Sequence, residues 1–135
     1  MNYKIVEYPI IISESDIDEN GHVNNITYLK WVQDVATAHW LSVSNKEQQE
    51  QNLWVVNRHE IDYLKQAYLN SHLIAKTWVT KPNGAKSERH VVIYDKDHDN
   101  IVANIITTWY LLDGKTKRPK RISEELANIF LRNSN

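Results

Sequence analysis

Asp16, Asp18, Asn20, His22, Asn24 and Asn25 crowd into one short stretch of the chain. A carboxylate, an amide and an imidazole held together can take a proton from water, orient a carbonyl and return the proton to a leaving group. Asp18, Asn20 and His22 alternate, so an extended backbone predicts all three side chains on one side. Gly21 lets the main chain approach a ligand closely. The same residue types also have a purely structural use, because Asp and Asn gather ahead of helices to satisfy orphan N–H groups. Both readings stand at this level. Asp16 reads as a loop hydrogen-bonding residue rather than a second acid. Cysteine is absent, which excludes disulfides, thiolate ligands and a Cys nucleophile. His90, Asp95, Asp97, His98 and Asp99 resemble a metal cluster only superficially, since the run from Asp95 to Asn100 lacks the central Gly and distal Glu of a calcium loop and predicts a turn. His39 and His59 have no second ligand at metal spacing and read as packing residues. No metal and no cofactor are expected.

The polar stretch must be held by the elements on its C-terminal side. Tyr28, Trp31, Val32, Val35 and His39 fall at helical spacing, which predicts a helix from about Thr27 to between Leu41 and Ser44, with Asn24 or Asn25 as its N-cap. Tyr3 to Ser13 reads as a β-rich segment that Pro9 confines to an edge or an irregular position. Leu53 to Leu64 alternates, predicting Leu53, Val55, Asn57, His59, Ile61 and Tyr63 on one face of a strand. Leu73 to Thr80 puts Leu73, Ala75, Thr77 and Val79 on one face. Asn83-Gly84 marks a hairpin turn, since both residue types tolerate positive φ. Lys86 to Tyr94 and Ile101 to Leu112 come next as strands, and Ser123 caps a short terminal helix from Glu124 to Leu131. The succession predicts an α+β fold, one long central helix wrapped by a mostly antiparallel sheet of about five strands.

At 135 residues the chain suits one domain, 1–135, with a core of its own. Sixteen Lys and Arg against 17 Asp and Glu give a net charge of −1, which is not the footprint of a nucleic-acid or anionic-membrane binder. No apolar run approaches the roughly 20 residues of a membrane helix, and the N-terminus does not read as a signal peptide. A cytoplasmic protein is expected. Five Trp and seven Tyr against one Phe suit half-buried positions such as pocket walls and interfaces.

The stretch SDIDENGHVNNITYLKWVQD, residues 15–34, resembles the signature of the hotdog-fold acyl thioesterases, the superfamily of 4-hydroxybenzoyl-CoA thioesterases and acyl-ACP thioesterases. RHEIDYLKQAYLNSHL (58–73) resembles that family's second strand, and WYLLDGKTKRPKRISEEL (109–126) its last strand and exit. The resemblance implies that Asp18 is the catalytic carboxylate, acting as general base or as nucleophile through a mixed anhydride. Asn20 and His22 would orient it and the incoming water. It implies backbone N–H groups around His22 and Val23 as the oxyanion site. Val23, Asn25, Tyr28, Arg89 and Arg118 are the expected substrate contacts, the two arginines as seats for coenzyme or carrier phosphates. The adjacent Glu-Cys pair of plant acyl-ACP enzymes is replaced by Gln66 and Ala67, which leaves Asp18 as the main base. The implied activity is hydrolysis of acyl-CoA in fatty acid metabolism. An acyl-carrier-protein substrate, a hydratase and a non-catalytic acyl-binding protein are the alternatives. A homodimer or dimer of dimers is implied, with the active site at the subunit interface.

Overall fold

The helical period that begins at Thr27 and the alternation that begins near residue 52 build two layers. The computed structural model describes residues 3–132. Met1 and Asn2, part of the N-terminal stretch that does not read as a signal peptide, lie outside the described residues. Helix α1 (Asn25–Val43) starts where Asn24 Oδ1 accepts the Ile26 N–H at 3.0 Å, and it stops at Ser44, whose N–H reaches Trp40 O. Its buried stripe comprises Tyr28, Trp31, Val32, Val35, Ala36, His39 and Val43, the face predicted from spacing.

That face lies on a five-stranded, wholly antiparallel sheet. Its strands are β1 (Val6–Pro9), β2 (Asn52–Tyr63), β3 (Leu73–Val79), β4 (Lys86–Asp95) and β5 (Asn100–Asp113), in the order β1-β3-β4-β5-β2. Pro9 ends the edge strand β1, as its missing donor requires. The α+β architecture is the expected one. Two apolar clusters fill the space between the layers. One gathers Val23, Tyr28, Trp31 and Val35 with Ala75, Val91, Ile93 and Ile105; the other gathers Val43, Leu111, Ile122, Leu126, Ile129 and Phe130. Between them, four polar side chains are buried together on the inner face: His39, Thr77, Arg89 and Thr107. Ser123 Oγ accepts the Leu126 N–H at 3.0 Å and opens helix α3 (Glu124–Asn128), which with the turn after it delivers Leu126, Ile129 and Phe130 to the second cluster.

Two expectations are corrected. The alternation of β2 does not run through: a bulge between Val56 and Arg58 inserts Asn57, and the register slips by one against β5. Trp54 therefore packs inward before the bulge, while Ile61 packs inward after it and Leu53 is exposed. The hairpin turn lies one residue later than Asn83-Gly84. Asn83 and Lys86 exchange both backbone hydrogen bonds, so Gly84 and Ala85 form the turn, with φ of +63° at Gly84. The polar run after α1, for which the sequence predicts no element, folds as helix α2 (Lys46–Gln51). Asn45 Oδ1 accepts from Gln48 N–H at 2.8 Å while Gln48 Oε1 accepts from Asn45 N–H at 2.9 Å, a reciprocal cap.

The acidic run 95–100 forms the expected turn. Asp95 accepts from the Asp97 and His98 N–H groups and from the His98 ring. Burial opposes its charge, but these hydrogen bonds outweigh burial and hold its carboxyl below the usual range. Among the described residues no helix is long and apolar enough to cross a membrane.

Candidate functional site

The loop before α1 is a closed turn rather than the extended segment expected. Ile17 and Val23 bridge across it, Asp18 N–H donates to His22 O at 2.8 Å, and Gly21 N–H donates to Asp18 O at 3.0 Å. Gly21 makes the reversal possible with φ of +83°. Inside the turn, Asp18 Oδ1 accepts the Asn20 and His22 N–H groups at 2.9 and 3.1 Å. The carboxylate is thus oriented by backbone donors of Asn20 and His22, not by their side chains. Among the described residues, Asp18 Oδ2, the Asn20 amide and the His22 imidazole have no hydrogen-bond partner, and all three residues line a cleft of about 730 Å³.

Neighbouring side chains hold the turn in place. Asp16 is buried; its Oδ2 accepts Ser13 N–H at 2.9 Å and Ser13 Oγ at 3.1 Å, and its carbonyl accepts Asn24 N–H. That is the structural role expected of it. Asn24 caps the helix.

The backbone N–H groups expected to be open at His22 and Val23 are taken. His22 N–H is committed to Asp18 Oδ1, and Val23 N–H donates to Ala67 O at 2.8 Å. Ile26 and Thr27 N–H groups are taken by the Asn24 side chain and carbonyl. Asn25 N–H alone among these has no acceptor within the described residues, and it opens the helix beside the cleft. A free N–H at a helix N-terminus is suited to developing negative charge.

Val23, Asn25 and Tyr28, the expected substrate contacts, line the cleft. Tyr28 is almost fully buried, lies edge-on to Trp31 and Tyr63, and has its phenol pushed up to about 12 by burial and then by Tyr63. Two aromatics not anticipated complete the wall. Tyr63 donates its hydroxyl to Asn25 O at 3.2 Å, and Tyr68 lies edge-on to His22 with ring centroids 5.3 Å apart. The shift in parity after Asn57 is what aims Tyr63 at the helix start.

The two arginines are not brought to this cleft. Arg118 is exposed, and its carbonyl accepts Asp113 N–H. Asp113 pairs with Asn52, at the opposite end of β2 from Tyr63. At roughly 3.3 Å per residue that is a separation on the order of 35 Å along the strand. Arg89 is only 4% exposed and points into the core. Its Nη1 donates to His39 Nδ1 and to Thr77 Oγ1, both at 3.0 Å. It shares strand parity with Val91 and Ile93, which carries it to the helix-facing side, so it is no surface seat for phosphates.

The aromatic surplus is also accounted for in part. Trp54 and Trp109 wall a second pocket under the C-terminal half of α1. Trp78 stacks between His90 and Tyr3.

A family model described as the acyl-ACP thioesterase N-terminal domain matches residues 2–130. A comparison with curated proteins returns no match. Among solved structures, a Pseudomonas aeruginosa protein superposes with a TM-score of 0.83 at 18% identity, over 96% of this chain and 91% of that one. A 1,4-dihydroxy-2-naphthoyl-CoA thioesterase from Synechocystis gives 0.81 at 12% identity, over 95% and 96% of the two chains. The 12:0-ACP thioesterase of Umbellularia californica gives 0.80 at 15% identity, over 96% of this chain and 52% of that one, so the present chain spans about half of that enzyme. By its fold and by the match along nearly its whole length, the chain belongs to the acyl-ACP thioesterase family and is a hotdog-fold thioester hydrolase.

Proposed function

We propose that this chain hydrolyses acyl-CoA to the free acid and coenzyme A, with Asp18 as the reacting carboxylate. The observation that carries the proposal is the division of labour at Asp18: two backbone donors fix Oδ1, while among the described residues Oδ2 has no partner, in a cleft shared with the open N–H of Asn25. A thioester carbonyl placed between these two groups would have its oxygen at Asn25 N–H and its carbon within reach of Oδ2 or of a water held by it. As a base, Asp18 takes the proton of that water as it adds, and the departing thiolate receives the proton when the carbon–sulfur bond breaks. As a nucleophile, Asp18 Oδ2 bonds to the carbonyl carbon, the carbon–sulfur bond breaks to release the thiolate of coenzyme A, and water then opens the resulting anhydride to give the free acid and the carboxylate again. Single-turnover hydrolysis in ¹⁸O-labelled water identifies the second route when label enters the Asp18 carboxylate, which happens only if water opens an anhydride at the aspartyl carbonyl.

Assembly belongs to the same proposal. β2 has 12 residues, and among the described residues nothing pairs with its outer edge, a liability that a second copy would remove. Two-fold pairing of antiparallel β2 edges sets the Asn52 end of one protomer beside the Tyr63 end of the other. The basic run Lys115, Lys117, Arg118, Lys120 and Arg121 of one copy would then flank the Asp18 cleft of the second, and serve the coenzyme's phosphates there. A cytoplasmic setting and one catalytic unit over 1–135 complete the reading.

An acyl-carrier-protein substrate is the second reading. It is favoured by Asp18-x-Asn20-x-His22 with Val-Asn-Asn directly after it, and by the family whose model matches. Thiol release from short, medium, long and aromatic acyl-CoAs, with matching acyl carrier proteins, decides between them. Asp18→Asn is expected to lose at least about a hundredfold in turnover. Full activity in that variant would falsify the assignment of Asp18.

A further inference from the structure

A pocket of about 280 Å³ lies under the C-terminal half of α1 and shares no lining residue with the Asp18 cleft. Its walls are mainly apolar, from Ala36, Trp40, Val79 and Phe130 with the Trp54 and Trp109 indoles. Arg89 is also on its wall, almost completely withdrawn from solvent. Among the described residues, the partners of its guanidinium are all neutral: His39 Nδ1, Thr77 Oγ1 and, 5.6 Å away, the face of the Phe130 ring, with the buried Tyr8 hydroxyl also near enough to act on its charge. Among the described residues no carboxylate forms an ion pair with it. The two indoles each carry a buried Nε1–H without an acceptor among the described residues.

A buried cation without a counter-charge is costly unless something pairs it. Water could serve the indoles but would not balance the charge. A guanidinium matches a carboxylate in shape and charge, whereas a phosphate dianion brings more charge than one Arg neutralises. The apolar walls then call for an apolar body behind the anionic head.

We propose that this pocket binds an organic carboxylate, its head group on Arg89 and its apolar portion along Trp40, Trp54 and Phe130. An engineered cavity of about 150 Å³ accommodates benzene, so this pocket suits an acid of roughly ten non-hydrogen atoms, the size of octanoate. The inference does not rest on Asp18, and octanoate should bind Asp18→Asn as it binds wild type.

The test is titration of the purified protein with octanoate and with octanamide, the neutral analogue of the same length, monitored by Trp fluorescence and by calorimetry. Saturable binding is expected, with the acid at least about tenfold tighter than the amide. Arg89→Met should abolish that preference, and replacing an unpaired buried charge with an apolar chain of similar length is compatible with folding. Thr37→Trp, at an exposed position on the pocket wall, should block both ligands and serves if Arg89→Met does not fold. Equal affinity for acid and amide would overturn the proposal. So would the absence of saturation by about 10 mM octanoate, or binding that survives Thr37→Trp unchanged.

The carboxylate could belong to a free acid or to the far end of an acyl chain still in thioester linkage. Turnover of ω-carboxyacyl-CoA against plain acyl-CoA of equal length separates these sources. A preference for the first that disappears in Arg89→Met assigns the head group to the substrate; its absence, with octanoate binding intact, assigns it to a separate ligand.

Discussion

His39 should make the protein lose stability on mild acidification. The ring is fully buried, and its Nδ1 receives a hydrogen bond from Arg89 at 3.0 Å. A guanidinium can only donate, so Nδ1 must be unprotonated and the ring neutral. Burial first, then the positive charges of Arg89 and Lys4, push His39 down from 6.5 to about 4. The unfolded chain takes up this proton below about pH 6.5 while the folded chain refuses it until about pH 4. Stability contributed by the neutral ring is therefore complete above the ordinary value and falls as the pH drops toward the folded one. At about 1.4 kcal/mol per pH unit, the loss is about 2 kcal/mol by pH 5 and about 3 kcal/mol by pH 4. Urea unfolding of wild type and His39→Asn at about pH 7.5 and about pH 5 isolates the effect, since Asn can still accept from Arg89 but does not titrate. The variant will be less stable at the higher pH because the ring contact with Phe130 is gone. Its further loss at the lower pH should be smaller than wild type's by about 2 kcal/mol. Equal losses in the two proteins would show that His39 is not held neutral by its surroundings.

Three other changes probe the frame. In Gly114→Ala a Cβ would fall 1.9 Å from the backbone oxygen of Glu50, so backbone must move, and a loss of about 2–4 kcal/mol is expected in the urea midpoint. Ser123→Ala removes the acceptor for Leu126 N–H and should cost about 1 kcal/mol, read as a small fall in Tm. Leu53→Lys places a charge on the exposed edge strand β2 and should shift the protein from dimer to monomer in light scattering, with activity falling alongside. A wild-type monomer that is fully active at assay concentration would remove the proposed assembly.

How far the fold is legible in the sequence depends on whether a pattern repeats. Helix α1 announces itself through Tyr28, Trp31, Val32, Val35 and His39, and Asn24 marks its start, because burial on one face imposes a period over several turns. Helix α2 has no such period: among its six residues none is buried, and only the Asn45 and Gln48 pair hints at it. The bulge at Asn57 is illegible because one inserted residue leaves the apolar count intact while reversing every side chain after it. Arg89 misleads for the opposite reason. Its charge suggests a seat for phosphates, yet alternation from Val91 and Ile93 already places it on the inner face, and that signal outweighs residue type when the strand is central. The hotdog assignment survives these errors, since it rests on the loop and helix start together.

The two readings of the polar loop, helix cap and reacting site, turn out to occupy different atoms. Asn24 Oδ1 and the Asp16 carboxylate are spent on the backbone. Asp18 is divided: Oδ1 closes the turn, and Oδ2 is left over with the Asn20 amide and the His22 ring. This division dictates how the site must be tested. Asp18→Ala would delete both functions at once, opening the turn that carries Asn20 and His22, and any loss of activity would be ambiguous. Asp18→Asn keeps a carbonyl oxygen for the two N–H groups and removes only the charge and basicity of the other oxygen. A loss of turnover in Asp18→Asn, with unchanged thermal stability, therefore belongs to the chemistry, whereas a comparable loss of stability would assign Asp18 chiefly to the turn.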